Sequence, residues 1–97
     1  MPRAFTVIDS FRVTTTLLER GVELPLGLWL VLDGRFEAAS ELPNPGAVVV
    51  VTAPSGEHHR ASISHAEVRH GSGAVSLASG PKEVPRLSTV SVAEDEH

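Results

Sequence analysis

Apolar and polar side chains alternate along most of the chain, a pattern typical of β-strands that are buried on one face. Residues 4–13, AFTVIDSFRV, place their apolar side chains at odd positions, with an interruption at Asp9. Residues 27–36, GLWLVLDGRF, place them at even positions, and residues 46–51, GAVVVV, are apolar throughout. The first two segments therefore predict strands with one apolar face, and the third predicts a strand buried on both sides.

A change of phase divides the histidine-rich segment 58–70, HHRASISHAEVRH. In its first half the apolar residues Ala61 and Ile63 lie at odd positions. In its second half the apolar residues Ala66 and Val68 lie at even positions. One extra residue near Ser64 and His65 would turn the following side chains to the opposite face, so the sequence predicts a β-bulge there. Two further short strands are predicted around residues 75–77 and 90–92.

Turn-forming residues separate these segments. The sequence APSG at 53–56 predicts a β-turn, and the only helical piece predicted is a single turn at residues 17–20, ended by Gly21. About six short strands with Gly and Pro between them predict an all-β fold, a small closed or partly open β-barrel. The predicted domain covers residues 1–93, and the acidic residues 94–97 are expected to form a flexible tail.

Charge and composition restrict the classes of partner. The net charge is −4 with neutral histidines, and the 8 Lys and Arg residues are scattered along the chain. Proteins that bind nucleic acids draw most of their affinity from neutralised phosphates, so such binding is expected only through a small local patch. There is no cysteine for disulfides or thiolate metal sites. The longest apolar run, LPLGLWLVL, is short against the roughly 20 residues of a membrane helix, so a soluble, cytoplasmic protein is predicted.

Residues suited to catalysis or metal binding are not grouped in the sequence. Four of the five histidines fall between residues 58 and 70, but on a strand His58 and His59 point to opposite faces. His65 lies roughly 20 Å beyond His59 along an extended chain. No serine lies in a G-x-S-x-G motif, and the tail carboxylates have nothing to hold their geometry. The sequence therefore predicts no enzyme, no metal site and no cofactor, with a small enzyme or metal protein as the alternative.

The chain ends in the segments GSGAVSL, SGPKEV and PRLSTVSV, and NPGAVVVVTAPSGE and FTVIDSFRV lie upstream of them. In these segments the order of strands and turns over residues 4–93 resembles domain 2 of the translation GTPases, the β-barrel of elongation factor Tu and its relatives. The chain departs from the family at Ala47, where Asp is usual, and at Leu87, where Gly is usual. The resemblance implies a barrel that contacts tRNA or the ribosome. The phosphate-binding loop of the GTPase part, G-x-x-x-x-G-K-[ST], does not occur.

Trp29 is the candidate binding residue, because the leucines on either side of it already fill the opposite face of its strand. Trp29 and Val31 are expected to share the outer face, with Arg35 beyond them, and Trp and Arg are common at binding hot spots. The alternative is that the loop at residues 37–46, EAASELPNPG, covers the tryptophan and forms a small second core. The predicted function is a non-catalytic protein-binding or self-associating module. The alternative function is a tRNA- or ribosome-associated accessory protein.

Overall fold

The chain folds into a closed antiparallel barrel of six strands. Residues 4–14, 17–19, 22–24 and 26–93 are described by the structure, a computed structural model. The strands are β1 (Ala4–Val13), β2 (Leu17–Glu19), β3 (Val22–Leu24), β4 (Gly27–Leu32), β5 (Val48–Thr52), β6 (His58–Arg69), β7 (Ser72–Ser79) and β8 (Thr89–Val92). Around the barrel the order is β1, β4, β7, β6, β5 and β8, so the predicted all-β barrel is confirmed.

A separate two-stranded hairpin, β2 with β3, connects β1 to β4. The sequence-based prediction of a helical turn at residues 17–20 is therefore wrong, because Leu17–Glu19 is a strand paired with Val22–Leu24. A single helical turn fixes the backbone of several residues and gains only one hydrogen bond. Pairing of the two strands instead supplies each backbone with a hydrogen-bonding partner. Gly21 and the predicted tail at 94–97 lie outside the described residues. Within those residues no helix is long and apolar enough to cross a membrane.

The barrel interior is filled by aliphatic side chains, as expected for a small barrel. They come from every barrel strand and from two connecting segments: Val7, Leu28, Leu30, Leu32, Leu42, Val49, Val51, Ala61, Ile63, Val75, Leu77, Val84 and Val90. Leu42 follows a short 3₁₀ turn at Ala39–Glu41 and enters beside Gly73. A Cβ on Gly73 would lie 2.7 Å from both the Leu42 and Phe36 side chains, so only glycine lets this loop seal the barrel.

A bulge in β1 divides its side chains between the two faces of the barrel wall. The register shifts between Val7 and Asp9, which leaves Ile8 as the extra residue. Val7 faces the core, whereas Phe11 pairs with Trp29 outside the core cluster and is half-exposed. The prediction that all the odd positions of this strand share one face is therefore wrong beyond Ile8, because one inserted residue reverses the alternation.

The bulge predicted in β6 is confirmed. The pairing with β7 shifts between Ile63 and His65, so Ser64 is the extra residue. Ile63 is buried in the core, and Ala66 packs against the same core. The two residues lie three positions apart, a spacing that regular alternation would place on opposite faces. The β-turn at residues 53–56 is also confirmed, since the Gly56 amide donates to the Ala53 carbonyl at 2.8 Å.

Strand β5 is buried on one side only, which corrects the prediction of burial on both. Val49 and Val51 point into the core, while Val48 is exposed on the outer wall. An unbroken apolar run does not distinguish a doubly buried strand from one with an apolar outer face, so the sequence left this orientation undetermined.

The loop that carries Leu42 should be part of the cooperative fold. We expect Leu42→Ala to lower the free energy of unfolding by about 2–5 kcal/mol, because it empties a fully buried site. Leu26→Ala is the control, since Leu26 is exposed and should lose no more than about 0.5 kcal/mol. Urea denaturation followed by circular dichroism measures both. Equal losses would contradict the assignment of Leu42 to the core.

Candidate functional site

A row of side chains crosses four neighbouring strands on the outer wall of the barrel. Phe11 of β1 pairs with Trp29 of β4, Trp29 pairs with Ser76 of β7, and Ser76 pairs with His65 of β6. Phe11 follows the bulge at Ile8, and His65 follows the bulge at Ser64. Without either insertion, the side chain after it would point to the opposite face. The two bulges therefore place an aromatic ring on each side of Trp29.

Trp29 is held between these two rings. The Phe11 ring is nearly parallel to the indole, with centroids 6.4 Å apart and an interplanar angle of 5°. The His65 ring stacks from the other side at 6.3 Å and 29°. Only 1% of Trp29 is exposed, so the predicted binding residue is a buried part of the wall. A partner protein would contact the side chains around Trp29 before Trp29 itself. Among them, Phe11 is 41% exposed.

The Ser64 side chain links the histidine to the backbone of β7. The Ser64 hydroxyl donates to the Ser76 carbonyl at 3.1 Å and lies 3.1 Å from His65 Nδ1. Ser76 is fully buried, and its own hydroxyl has no hydrogen-bond partner among the residues that the structure describes. A buried, unsatisfied hydroxyl costs about 1–3 kcal/mol. Ser76 is therefore a local polar cost in the wall beside Trp29.

An apolar groove lies beside this row on the same face. Its volume is about 130 Å³, and its apolar lining is Phe11, Trp29, Val31 and Ala74. We call it the outer groove. Glu67 and Arg69 form an ion pair along its rim, on the strand next to Ala74. The groove thus combines an apolar floor with a polar edge, the arrangement found at protein interfaces.

The three residues predicted to bind a partner are only partly brought together. Trp29 and Val31 line the outer groove, but Arg35 does not. Arg35 lies over Gly71 at the β6–β7 turn, where a Cβ on Gly71 would be 3.5 Å from its side chain. The loop at residues 37–46 does not build a separate second core on Trp29, since its Leu42 packs inside the barrel. The binding role of all three residues remains a prediction.

A second apolar feature, which the sequence patterns did not predict, consists of the exposed side chains of Ile8 and Leu87. Leu87 is 64% exposed and has a φ of 69°, a left-handed backbone that costs a non-glycine residue roughly 1–2 kcal/mol. Its amide donates to the Val7 carbonyl at 2.7 Å, and Ile8, the bulged residue, is 38% exposed.

Two cationic residues, Lys82 and Arg86, belong to the segment between β7 and β8, and a third, Arg12, contacts it. Arg12 donates to the Lys82 carbonyl, and Arg86 Nε donates to the Ile8 carbonyl at 3.1 Å. The carboxylates of Asp9 and Glu83 lie on the same segments. The corner therefore carries mixed charge with a small excess of cations.

The histidines do not form a metal-ligand group in the described part of the chain. No cluster of three or more His, Asp or Glu side chains is placed there to hold an ion. His59 lies 3.8 Å from Glu57, and His65 is engaged with Trp29 and Ser64. His59 and His65 thus have separate surroundings along β6.

Trp29 should support the fold directly. We expect Trp29→Ala to lower the free energy of unfolding by about 3–5 kcal/mol, because it removes a large buried ring. Phe11→Ala should cost less, since that ring is half-exposed. Urea unfolding followed by circular dichroism gives both values without relying on tryptophan emission. A loss within about 0.5 kcal/mol for Trp29→Ala, typical of surface positions, would contradict its structural role.

Comparison with other proteins gives no relative from which a role can be transferred. The chain matches no protein-family model, and no curated protein or solved structure is significantly similar to it. Its function therefore has to be argued from its own surface.

Proposed function

We propose that this chain is a non-catalytic protein-binding module that docks an apolar segment of a partner protein in the outer groove. The observation that carries the proposal is the groove itself, an apolar hollow of about 130 Å³ on the outside of a barrel whose interior is filled. A filled interior offers a ligand little space, so the wall is the surface that favours binding. The absence of cysteine fits the cytoplasm as its compartment.

The groove is preorganised for binding. Stacking on both faces fixes the Trp29 ring, so docking against it would immobilise few additional side-chain rotamers. Phe11 and Val31 keep accessible apolar surface beside it. The Glu67–Arg69 ion pair at the rim offers hydrogen bonds to a partner backbone without placing an unpaired charge in the apolar part.

Selection of random displayed peptides against the immobilised protein tests the proposal. We expect enrichment of apolar sequences, and Ala74→Gln should weaken their binding at least about tenfold because the longer side chain occupies the groove. Ala78→Gln is the matched control, since Ala78 is exposed on the same strand and does not line the groove. The emission of the single tryptophan should change on peptide binding.

Two results would refute the docking role. One is a library that yields no enriched peptide, and the other is a set of peptides that bind the Ala74 and Ala78 variants equally. Circular dichroism of both variants verifies that each is folded.

The second candidate function is an RNA- or ribosome-associated accessory protein, as the resemblance to domain 2 of the translation GTPases implies. Two observations support it. Leu87 stands where that family usually has glycine, and its φ of 69° is a conformation that favours glycine. Lys82 and Arg86 also lie in the neighbouring segment between β7 and β8, and Arg12 contacts that segment.

Filter binding of tRNA measured over a range of salt concentrations tests this candidate. A patch of about three cations predicts weak binding with a log–log salt slope of about −2. Lys82→Gln should weaken it, whereas Arg60→Gln, on the β5–β6 side of the barrel, should not. Undetectable binding at low salt would exclude the RNA candidate.

A further inference from the structure

We propose that a cleft between β1 and the segment at residues 82–85 binds a small organic anion, in which a carboxylate or phosphate group is joined to an apolar body. We call it the edge cleft. This inference goes beyond the docking role of the outer groove and does not depend on it. The cleft has a volume of about 360 Å³, which lies within the range of about 300–1,000 Å³ that is usual for small-molecule sites.

The edge cleft opens because the chain before β8 does not continue the sheet along β1. Backbone pairing between these two strands is confined to the first part of β1. Further along, Ser10 Oγ donates to the Val84 carbonyl at 3.2 Å. The Arg12 guanidinium donates to the Lys82 carbonyl. Pro85, which lies in the same segment, has no N–H to extend a backbone ladder, so side chains span a gap that paired strands would close.

Two cations line the edge cleft, Arg12 and Lys82. Among the described residues, the ion pairs involve only β6 and the turn before it, so neither cation has a carboxylate partner. The Lys82 carbonyl occupies one N–H group of the Arg12 guanidinium and leaves its other donors for a ligand. A guanidinium presents these donors in a planar fork that matches the oxygens of a carboxylate or a phosphate.

The acidic groups around the cleft do not cancel this charge. Glu83 also lines it, so two cations and one carboxylate leave one net positive charge. Asp9 and Arg86, which adjoin the lining residues in the chain, carry opposite charges and leave that sum unchanged. A second cavity of about 220 Å³ is also lined by Arg12 and Lys82, and no carboxylate of the described residues borders it. Local positive charge in a chain of net charge −4 favours an anionic ligand.

Apolar side chains form most of the remaining lining: Phe11, Leu28, Val84 and Pro85. Leu28 and Val84 belong to the packed core, whereas Phe11 is half-exposed. A ligand that carries only charge, such as inorganic phosphate, would leave this apolar surface in water. An anion on an apolar body covers it and gains roughly fourfold in affinity for each methylene group that it buries.

NMR titration of the full chain with octanoate, octyl phosphate and octanol tests the inference. We expect both anions to bind with a dissociation constant of about 1 mM or below, and to shift the amide signals of residues 10–12 and 82–85 most. Octanol should bind at least about tenfold more weakly, because it carries no charge. Butyrate should bind more weakly than octanoate, because it buries fewer methylene groups. The tighter of the two anions identifies the head group.

Charge variants locate the site. Lys82→Gln should weaken octanoate binding about tenfold, because it removes one cation and leaves the backbone carbonyl that Arg12 contacts in place. Glu83→Gln should strengthen binding, because it removes a like charge beside the anion. Arg60→Gln is the matched control, since it removes the same charge from β6, does not border the cleft and should not change the affinity.

The absence of binding by both anions overturns the inference. So does octanol binding as tight as that of octanoate, a set of shifts centred elsewhere, or an equal effect of Lys82→Gln and Arg60→Gln. Binding of tRNA that depends on Lys82, found together with no anion binding, would assign these cations to the RNA candidate instead. Ala74→Gln should leave octanoate binding unchanged, so the docking role of the outer groove is judged separately.

Discussion

The placement of the outer surface depends on two single-residue insertions in the barrel wall. Ile8 in β1 and Ser64 in β6 each add one residue to their strand, and the pairing of β6 with β7 is also irregular between Ser62 and Ile63. Each insertion reverses the alternation of side chains for the rest of its strand and increases the local twist, which helps a small sheet to close. Because of this reversal, the Phe11 and His65 side chains lie on the outer face of the barrel wall, on either side of Trp29. Closure of the barrel and construction of the outer wall therefore share one cause.

The sequence predicted the strands well because period-two alternation needs only local information. The strand at residues 4–13 was placed with its observed bounds, and the break in alternation within 58–70 located the bulge at Ser64. Asp9 interrupts the odd-position apolar pattern of residues 4–13, but Phe11 and Val13 resume it at odd positions. The parity of the sequence therefore does not reveal the bulge at Ile8, because the apolar residues that follow the bulge lie on the outer face of the wall.

The candidate site was harder to predict, because its residues meet only through long-range register. Trp29 was singled out correctly as facing away from the leucines, but its neighbours come from β1 and β6, which pair with β4 directly or through β7. No local pattern specifies that Phe11 will stack on Trp29. Leu87 was also missed as an exposed apolar residue, because backbone strain is not encoded in hydrophobic periodicity.

The filled interior constrains where this protein can act. Leu42 and Val84 enter the core from connecting segments, so side chains rather than a ligand cavity occupy the barrel interior. Binding is then left to the wall, and on the wall a shift of register in β1 would carry Phe11 inside and Val7 outside. Such a shift would break the core and the groove together. Selection for a stable barrel therefore also maintains the geometry of the outer groove, even though none of the groove's exposed surface contributes to closing the barrel.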